Sequence, residues 1–184
     1  MNKKMNKSTI RSKKWLVNAF FELLGEKEYS DITIKDIADK AQLARRTFYR
    51  LFDNKQDLLN TYCDKLFDEY FEIIQKKSNE ITTFEDILDI VFDFWWSKRN
   101  EISILIKRDI FLPFMLQRLD KFKNIYLAFD FPWHLNASEN ATNYIVDYFV
   151  GGQFNIIDNW LSKDNPETPE YIAKLLMKSI SKIN

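Results

Sequence analysis

Between residues 8 and 26, apolar side chains recur at three- and four-residue intervals: Ile10, Leu16, Val17, Phe20, Phe21, Leu23 and Leu24 share one stripe, which ends at Gly25. This spacing predicts an amphipathic helix, stopped by a residue that tolerates a left-handed cap. Ser30-Asp31 is a turn signal. Thr33 with Asp36 three positions later has the form of a capping box, which predicts a second helix over 34–40. Ala41, Gln42 and Leu43 break the pattern, and 44–52 resumes it with Phe48, Leu51 and Phe52 at i, i+3 and i+4. Asn54 and Asp57 make another cap-like pair and open a fourth helix over 55–77, with Leu59, Tyr62, Cys63, Leu66, Tyr70, Ile73 and Ile74 along its stripe.

Further on the pattern is more uniformly apolar. Thr83 and Asp86 cap a fifth helix over 84–99, in which Phe84, Ile87, Leu88, Val91, Phe92, Phe94, Trp95 and Trp96 leave little polar surface, as in a central helix. Residues 102–111 read as a short helix before Pro113, and 113–129 as another that ends near Pro132. A long pattern returns over 138–162, and Thr168-Pro169 starts a last helix with proline in its first turn. Only 3 Gly and 4 Pro interrupt the 184 residues, and 16% are aromatic. The expectation is an all-α fold of about nine helices, with a three-helix module over 1–54 and a larger helical body over 55–184.

Chemistry-bearing residues narrow the function by their scarcity. One cysteine and one histidine allow neither an internal disulfide nor a Cys/His zinc site within one chain, which fits a reducing cytoplasm. No apolar run follows Met1 and none of 18 residues occurs elsewhere, so neither an export signal nor a membrane span is expected. Without a glycine-rich phosphate loop, a nucleophile–base set or a metal cluster, no enzymatic activity and no cofactor are expected. Cys63 reads as a small buried apolar residue, and His134 beside Trp133 as structural, with a hydrogen bond to a ligand as the alternative.

Net charge is zero, 27 basic against 27 acidic residues, but it is unevenly distributed. Residues 1–55 carry 13 basic and 7 acidic side chains, net +6, and the remainder is net −6. A basic N-terminal module on a neutral protein suits a polyanionic partner as well as it suits a solubilising tail. The helical pattern separates these readings. Two short helices joined by a tight turn form a helix-turn-helix, the device that seats a helix in the DNA major groove. Ile34, Ile37 and Ala38 supply its first apolar side, Leu43 plugs the turn, and Phe48, Leu51 and Phe52 back the second helix. Arg45, Arg46 and Thr47 are left at the base-facing end.

These residues resemble the TetR/AcrR family of transcriptional regulators: Thr33-Ile34-Lys35-Asp36-Ile37-Ala38, then Ala41-Gln42-Leu43-Ala44, then Thr47-Phe48-Tyr49-Arg50-Leu51-Phe52, and Lys55, all in register. The likeness covers about the first 70 residues. It implies base reading by Arg45, Arg46 and Thr47, and phosphate contacts from Thr33, Tyr49 and Lys55; Arg50 meets either phosphate or water. Three positions depart from the family's habit. Gln42 stands at a frequent turn glycine, at about 1 kcal/mol or more if left-handed. Leu51 replaces a frequent histidine, and Ala44 a frequent hydroxyl cap.

For the remaining residues the resemblance implies a ligand-sensing and dimerising body. Phe92, Trp95, Trp96, Phe129 and Trp133 are candidates to line a ligand pocket, with simple core packing as the alternative. Ile145, Tyr148, Phe149, Gly152, Ile156, Trp160, Ile172 and Leu176 are expected at a homodimer interface, where Gly151-Gly152 would let another backbone approach. The implied function is regulation, taken as repression, by a dimer on palindromic double-stranded DNA under control of a small-molecule effector. A helical co-activator or adaptor acting through protein contact is the alternative.

Overall fold

The computed structural model describes residues 7–132, 134 and 138–180, and every regular element among them is helical. In chain order these are α1 (Lys7–Glu26), α2 (Ile34–Lys40), α3 (Arg45–Tyr49), α4 (Lys55–Lys77), α5 (Phe84–Ser97), α6 (Arg99–Lys107), α7 (Phe111–Leu116), α8 (Leu119–Ala128), α9 (Glu139–Leu161) and α10 (Pro169–Ile180), with one 3-10 turn at Tyr29–Asp31. No helix among the described residues is long and apolar enough to cross a membrane. The chain divides into two compact units, Met1–Asp68 and Glu69–Asn184, and the division falls within α4.

In the first unit, α1 packs on α2 and α2 on α3. Leu16, Phe20 and Leu24 of α1 meet an interior completed by Ile37, Ala38, Phe48, Phe52, Leu58, Leu59 and Cys63, all of them buried. Each large apolar side chain removed from water contributes about 1.5–3 kcal/mol, so this stripe decides the unit's assembly. Its helix starts are fixed locally. The Thr33 hydroxyl accepts from the Asp36 N–H at 3.1 Å, and the Asp36 carboxylate accepts from the Thr33 N–H at 3.0 Å. At α4 the Asn54 side chain accepts from the Asp57 N–H at 2.9 Å, whereas the Asp57 carboxylate reaches one residue further back, to the Asp53 N–H.

The second unit is organised on α5 and α9. Leu88, Ile90, Val91, Phe92, Phe94 and Trp95 of α5 are buried, α10 packs along α5, and α6, α7 and α8 pack on α9. Trp160 of α9 stacks on Trp96 at 5.5 Å between ring centroids and meets Phe92 edge-on, while its indole N–H donates to the Glu167 carbonyl at 2.9 Å.

The middle of this unit departs from the sequence expectation. Three helices occupy 99–128 in place of two. Asp109 takes φ 54, and the N–H groups of Asp109 and Ile110 donate to the carbonyls of Ile106 and Leu105, a left-handed cap that stops α6 without glycine. Pro113 sits in the first turn of α7, where a backbone N–H has no helical acceptor, and so it interrupts nothing. The next break comes at Gln117-Arg118, and α8 ends at Phe129, whose backbone is extended.

Candidate nucleic-acid interface and apolar cavity

The turn between α2 and α3 is a Schellman cap. The Leu43 N–H donates to the Ala38 carbonyl at 2.9 Å, the Gln42 N–H to the Asp39 carbonyl at 3.0 Å, and Gln42 takes φ 52. A side chain at this φ costs about 1–2 kcal/mol, which the two bonds and the packing of α2 and α3 sustain. Helix α3 then starts at Ala44, whose side chain offers no cap.

Phe48 holds α3 down. It is fully buried against Phe52, with ring centroids 5.6 Å apart, and Tyr49 meets its edge at 5.9 Å. With that side anchored, Arg45, Arg46 and Arg50 are exposed, Tyr49 is 58% exposed and Thr47 is half-buried. None of the three guanidinium groups forms an ion pair or hydrogen bond among the described residues. Arg45, Arg46 and Thr47 therefore lie together on one short exposed helix, with five fixed donors on each arginine free of partners among the described residues. Thr33, also exposed, uses its oxygen to cap α2 and keeps its own O–H as a donor. The Thr33 N–H, followed by its hydroxyl and by Lys27, holds the Asp36 carboxyl below the usual carboxylate range.

Lys55 is engaged within the chain. Its ammonium donates to the carbonyls of Tyr29, of Ser30 at 3.2 Å and of Ile32 at 3.0 Å, and lies 4.4 Å over the Tyr29 ring. An ammonium has three N–H bonds, and in this conformation they face the carbonyls of Tyr29, Ser30 and Ile32, so a phosphate would have to displace one of them. Burial pushes its pKa down, with the Asp31 charge opposing. A sequence motif reports that a lysine is present, not which acceptor lies within its reach.

The second unit contains a partly open apolar cavity of about 280 Å³. Tyr70 and Ile74 of α4, Val91 of α5, Phe122 and Tyr126 of α8, and Phe149 and Gln153 of α9 are among its lining. Phe92, Trp95, Trp96 and Phe129, expected at a pocket, do not line this cavity. Phe92 and Trp96 pack on Trp160, Trp95 meets Phe111 and Phe154 edge-on, and Phe129 stacks on Phe131 and meets Phe71. Trp133 lies outside the described residues. The aromatic residues of the lining are a different set, among them Tyr70, Phe122, Tyr126 and Phe149, interleaved with aliphatic positions such as Ile87, Ile145 and Val150 that no motif distinguishes.

On α9 and α10 the expected interface residues separate into two groups. Trp160 is 2% exposed and Ile172 is buried within the chain's own core, so neither is available to a partner in this conformation. Ile145 and Phe149 border the cavity, and Ile156 and Leu176 are half-buried. Tyr148 is 75% exposed, and Tyr144, one turn earlier and missed by the sequence reading, is 77% exposed. Tyr171 and Leu175 repeat this i, i+4 spacing on α10, a signal the sequence did contain. Apart from its chain neighbours and the nearby backbone of its own helix, no described atom lies within 4 Å of a side chain built at Gly152.

Comparison with known proteins agrees with this architecture. Residues 16–62 match the model for bacterial regulatory proteins of the tetR family, and residues 82–182 match a transcriptional regulator C-terminal region. The chain is 34% identical over 86 residues to YxbF of Bacillus subtilis (strain 168), described as an uncharacterized HTH-type transcriptional regulator; the match covers 45% of this chain and 23% of YxbF. It is 33% identical over 63 residues to DhaS of Lactococcus lactis subsp. lactis (strain IL1403), an HTH-type dhaKLM operon transcriptional activator, over 34% of each chain. The aligned stretches thus span only about a quarter to a third of these relatives. The fold is similar to a TetR regulator from Streptococcus agalactiae 2603V, with TM-score 0.66 and 22% identity over 95% of this chain and 96% of that one. It is also similar to the fatty acid degradation regulator FadR from Bacillus halodurans, with TM-score 0.64 and 18% identity over 96% and 95%. With an exposed arginine-bearing helix after a left-handed turn, a helical second unit, and family matches that cover most of both, the chain belongs to the tetR family of bacterial transcriptional regulators.

Proposed function

We propose that this regulator acts in the cytoplasm as a homodimeric repressor on a palindromic operator, with residues 1–54 reading DNA and 55–184 sensing an effector and dimerising. The observation that carries the reading is the set of three exposed guanidinium groups on and beside α3, with no partner among the described residues. A surface arginine that serves the fold is commonly paired with a carboxylate. A row of unpaired ones on a five-residue helix suits the acceptors of guanine edges and phosphates. Arg45, Arg46 and Thr47 would read bases, and Thr33, Tyr49 and Arg50 would hold phosphates.

Dimerisation follows from the readout and from the exposed apolar rows of α9 and α10. Two recognition helices about 34–36 Å apart match one turn of duplex and require a two-fold pair. Effector control would be a population shift: a ligand that prefers one α4 position over the other alters the spacing of the recognition helices and lowers DNA affinity. Its support is an apolar cavity lined in part by the C-terminal turns of α4. A second reading, activation, is favoured by the likeness to DhaS, which is named as an activator.

Selecting bound fragments from random DNA with purified protein tests the proposal. An inverted repeat with half-sites one helical turn apart is expected, and binding should weaken steeply as salt rises. Arg46→Ala should lose about 1–3 kcal/mol on the selected site and relax its sequence preference. Equal losses on selected and random DNA would refute base reading, and salt-insensitive binding would point to a protein partner. A reporter behind the selected site separates repression from activation.

A further inference from the structure

Resting on the effector reading above, we infer that the cavity selects an uncharged, largely hydrocarbon ligand with one hydrogen-bond acceptor, received by the Tyr70 hydroxyl. Two properties of the lining lead to this class. The first is its lack of charge. Among the described lining residues there is no Asp, Glu, Lys or Arg, and the polar ones are Tyr70, Tyr126, His134 and Gln153. His134 is held below its usual pKa chiefly by burial, so it is neutral at physiological pH, and its ring stacks on Tyr126 at 3.8 Å. An ionised ligand would leave water for a site with no counter-charge among its described lining residues, a transfer that costs several kcal/mol per ion. Neutral molecules avoid that penalty.

The second property is an unmatched donor. Tyr70 lines the cavity, is only 8% exposed, and its hydroxyl makes no hydrogen bond among the described residues. Burial alone raises its pKa, so it remains a protonated donor across the accessible range. Its ring is fixed by Phe94 at 5.3 Å and Phe122 at 6.1 Å, which limits how far the hydroxyl can turn in search of another partner. A hydroxyl on a mostly buried side chain that lines an apolar cavity, with no partner among the described residues, is completed by whatever fills that cavity. A carbonyl or ether oxygen meets this requirement without bringing charge. The volume of about 280 Å³ sets the size: at roughly 30 Å³ per water- or methylene-sized group, about nine or ten non-hydrogen atoms fit.

Calorimetric titration of the full chain without DNA, at pH 8, against 2-nonanone, nonane and octanoate tests the inference, since all three are of similar size. The ketone should bind about tenfold more tightly than nonane and at least tenfold more tightly than octanoate. In Tyr70→Phe the ketone's advantage over nonane should disappear, while the ligand-free melting temperature stays the same or rises, because a hydroxyl with no partner is removed. Tightest binding by octanoate, no binding by any of the three, or an undiminished ketone advantage in Tyr70→Phe would overturn the inference. Gel shifts with bound ketone then examine control separately: binding without any change in DNA affinity would sink the effector mechanism and leave the ligand class standing.

Discussion

Replacing Lys55 by methionine separates two roles that the sequence motif merges. In the structure its ammonium bridges the carbonyls of Tyr29, Ser30 and Ile32 and covers the Tyr29 ring, tying the start of α4 to the segment between α1 and α2. A charged hydrogen bond contributes about 1.5–3 kcal/mol, and a cation over an aromatic face about 0.5–1 kcal/mol at an exposed site. The site is only partly buried, so water recovers much of what the carbonyls lose, and a net destabilisation of about 2 kcal/mol is expected. Methionine keeps the length and apolar stem, which confines the change to the charge. For a chain of this size, that loss lowers the melting temperature by roughly 4–8 °C, readable by circular dichroism. The discriminating measurement is the salt dependence of DNA binding. Each neutralised duplex phosphate contributes about 0.9 to the slope of log affinity against log salt. A lysine occupied by its own chain leaves that slope unchanged in Lys55→Met. A slope reduced by about one, with an unchanged melting temperature, would refute the clamp and restore the phosphate contact.

Two further outcomes are expected. Ala44→Ser should add the missing cap at α3 and stabilise the protein by about 0.5–1 kcal/mol in urea unfolding, and no gain would mean that α3 is not limited by its uncapped start. In acid, Asp36 and Asp86 should act together: backbone N–H groups hold both below their usual 3.8, so their contribution is present above that value and is lost as pH falls through the lower folded-state values. Melting temperature followed downward from pH 5 should therefore fall mainly below pH 4, and Asp36→Asn should blunt the fall; an equal slope in the variant would remove Asp36 from the account.

The first unit was legible because its boundaries are written in short-range chemistry. Thr33 and Asp36 bond to each other's backbone, and Asn54 caps the helix that begins one residue later, so both helix starts could be placed from four residues. Phe48 and Phe52 had to face inward, and the arginines beside them outward. The intrachain partners of Lys55 were not legible because they are carbonyls of residues more than twenty positions away, a pairing that spacing does not reveal. The helices of 99–128 were merged for a related reason. Proline was taken as the breaker, but the stop came from Asp109 in a left-handed conformation usually left to glycine. The cavity eluded the aromatic count because a void is defined by what neighbouring side chains fail to fill, and residues such as Ile125 and Val146 look the same whether they face an atom or a gap.

The stacked indoles of Trp96 and Trp160 have a practical consequence. Held 5.5 Å apart and within 19° of parallel, two such chromophores couple optically, so the second unit carries its own near-ultraviolet signature. Trp15 lies in the other unit and is exposed, so its emission is expected at longer wavelength than that of the buried indoles. Unlabelled protein thus offers a separate spectroscopic channel for each half, and the order in which the halves melt can be followed without attaching a dye to either.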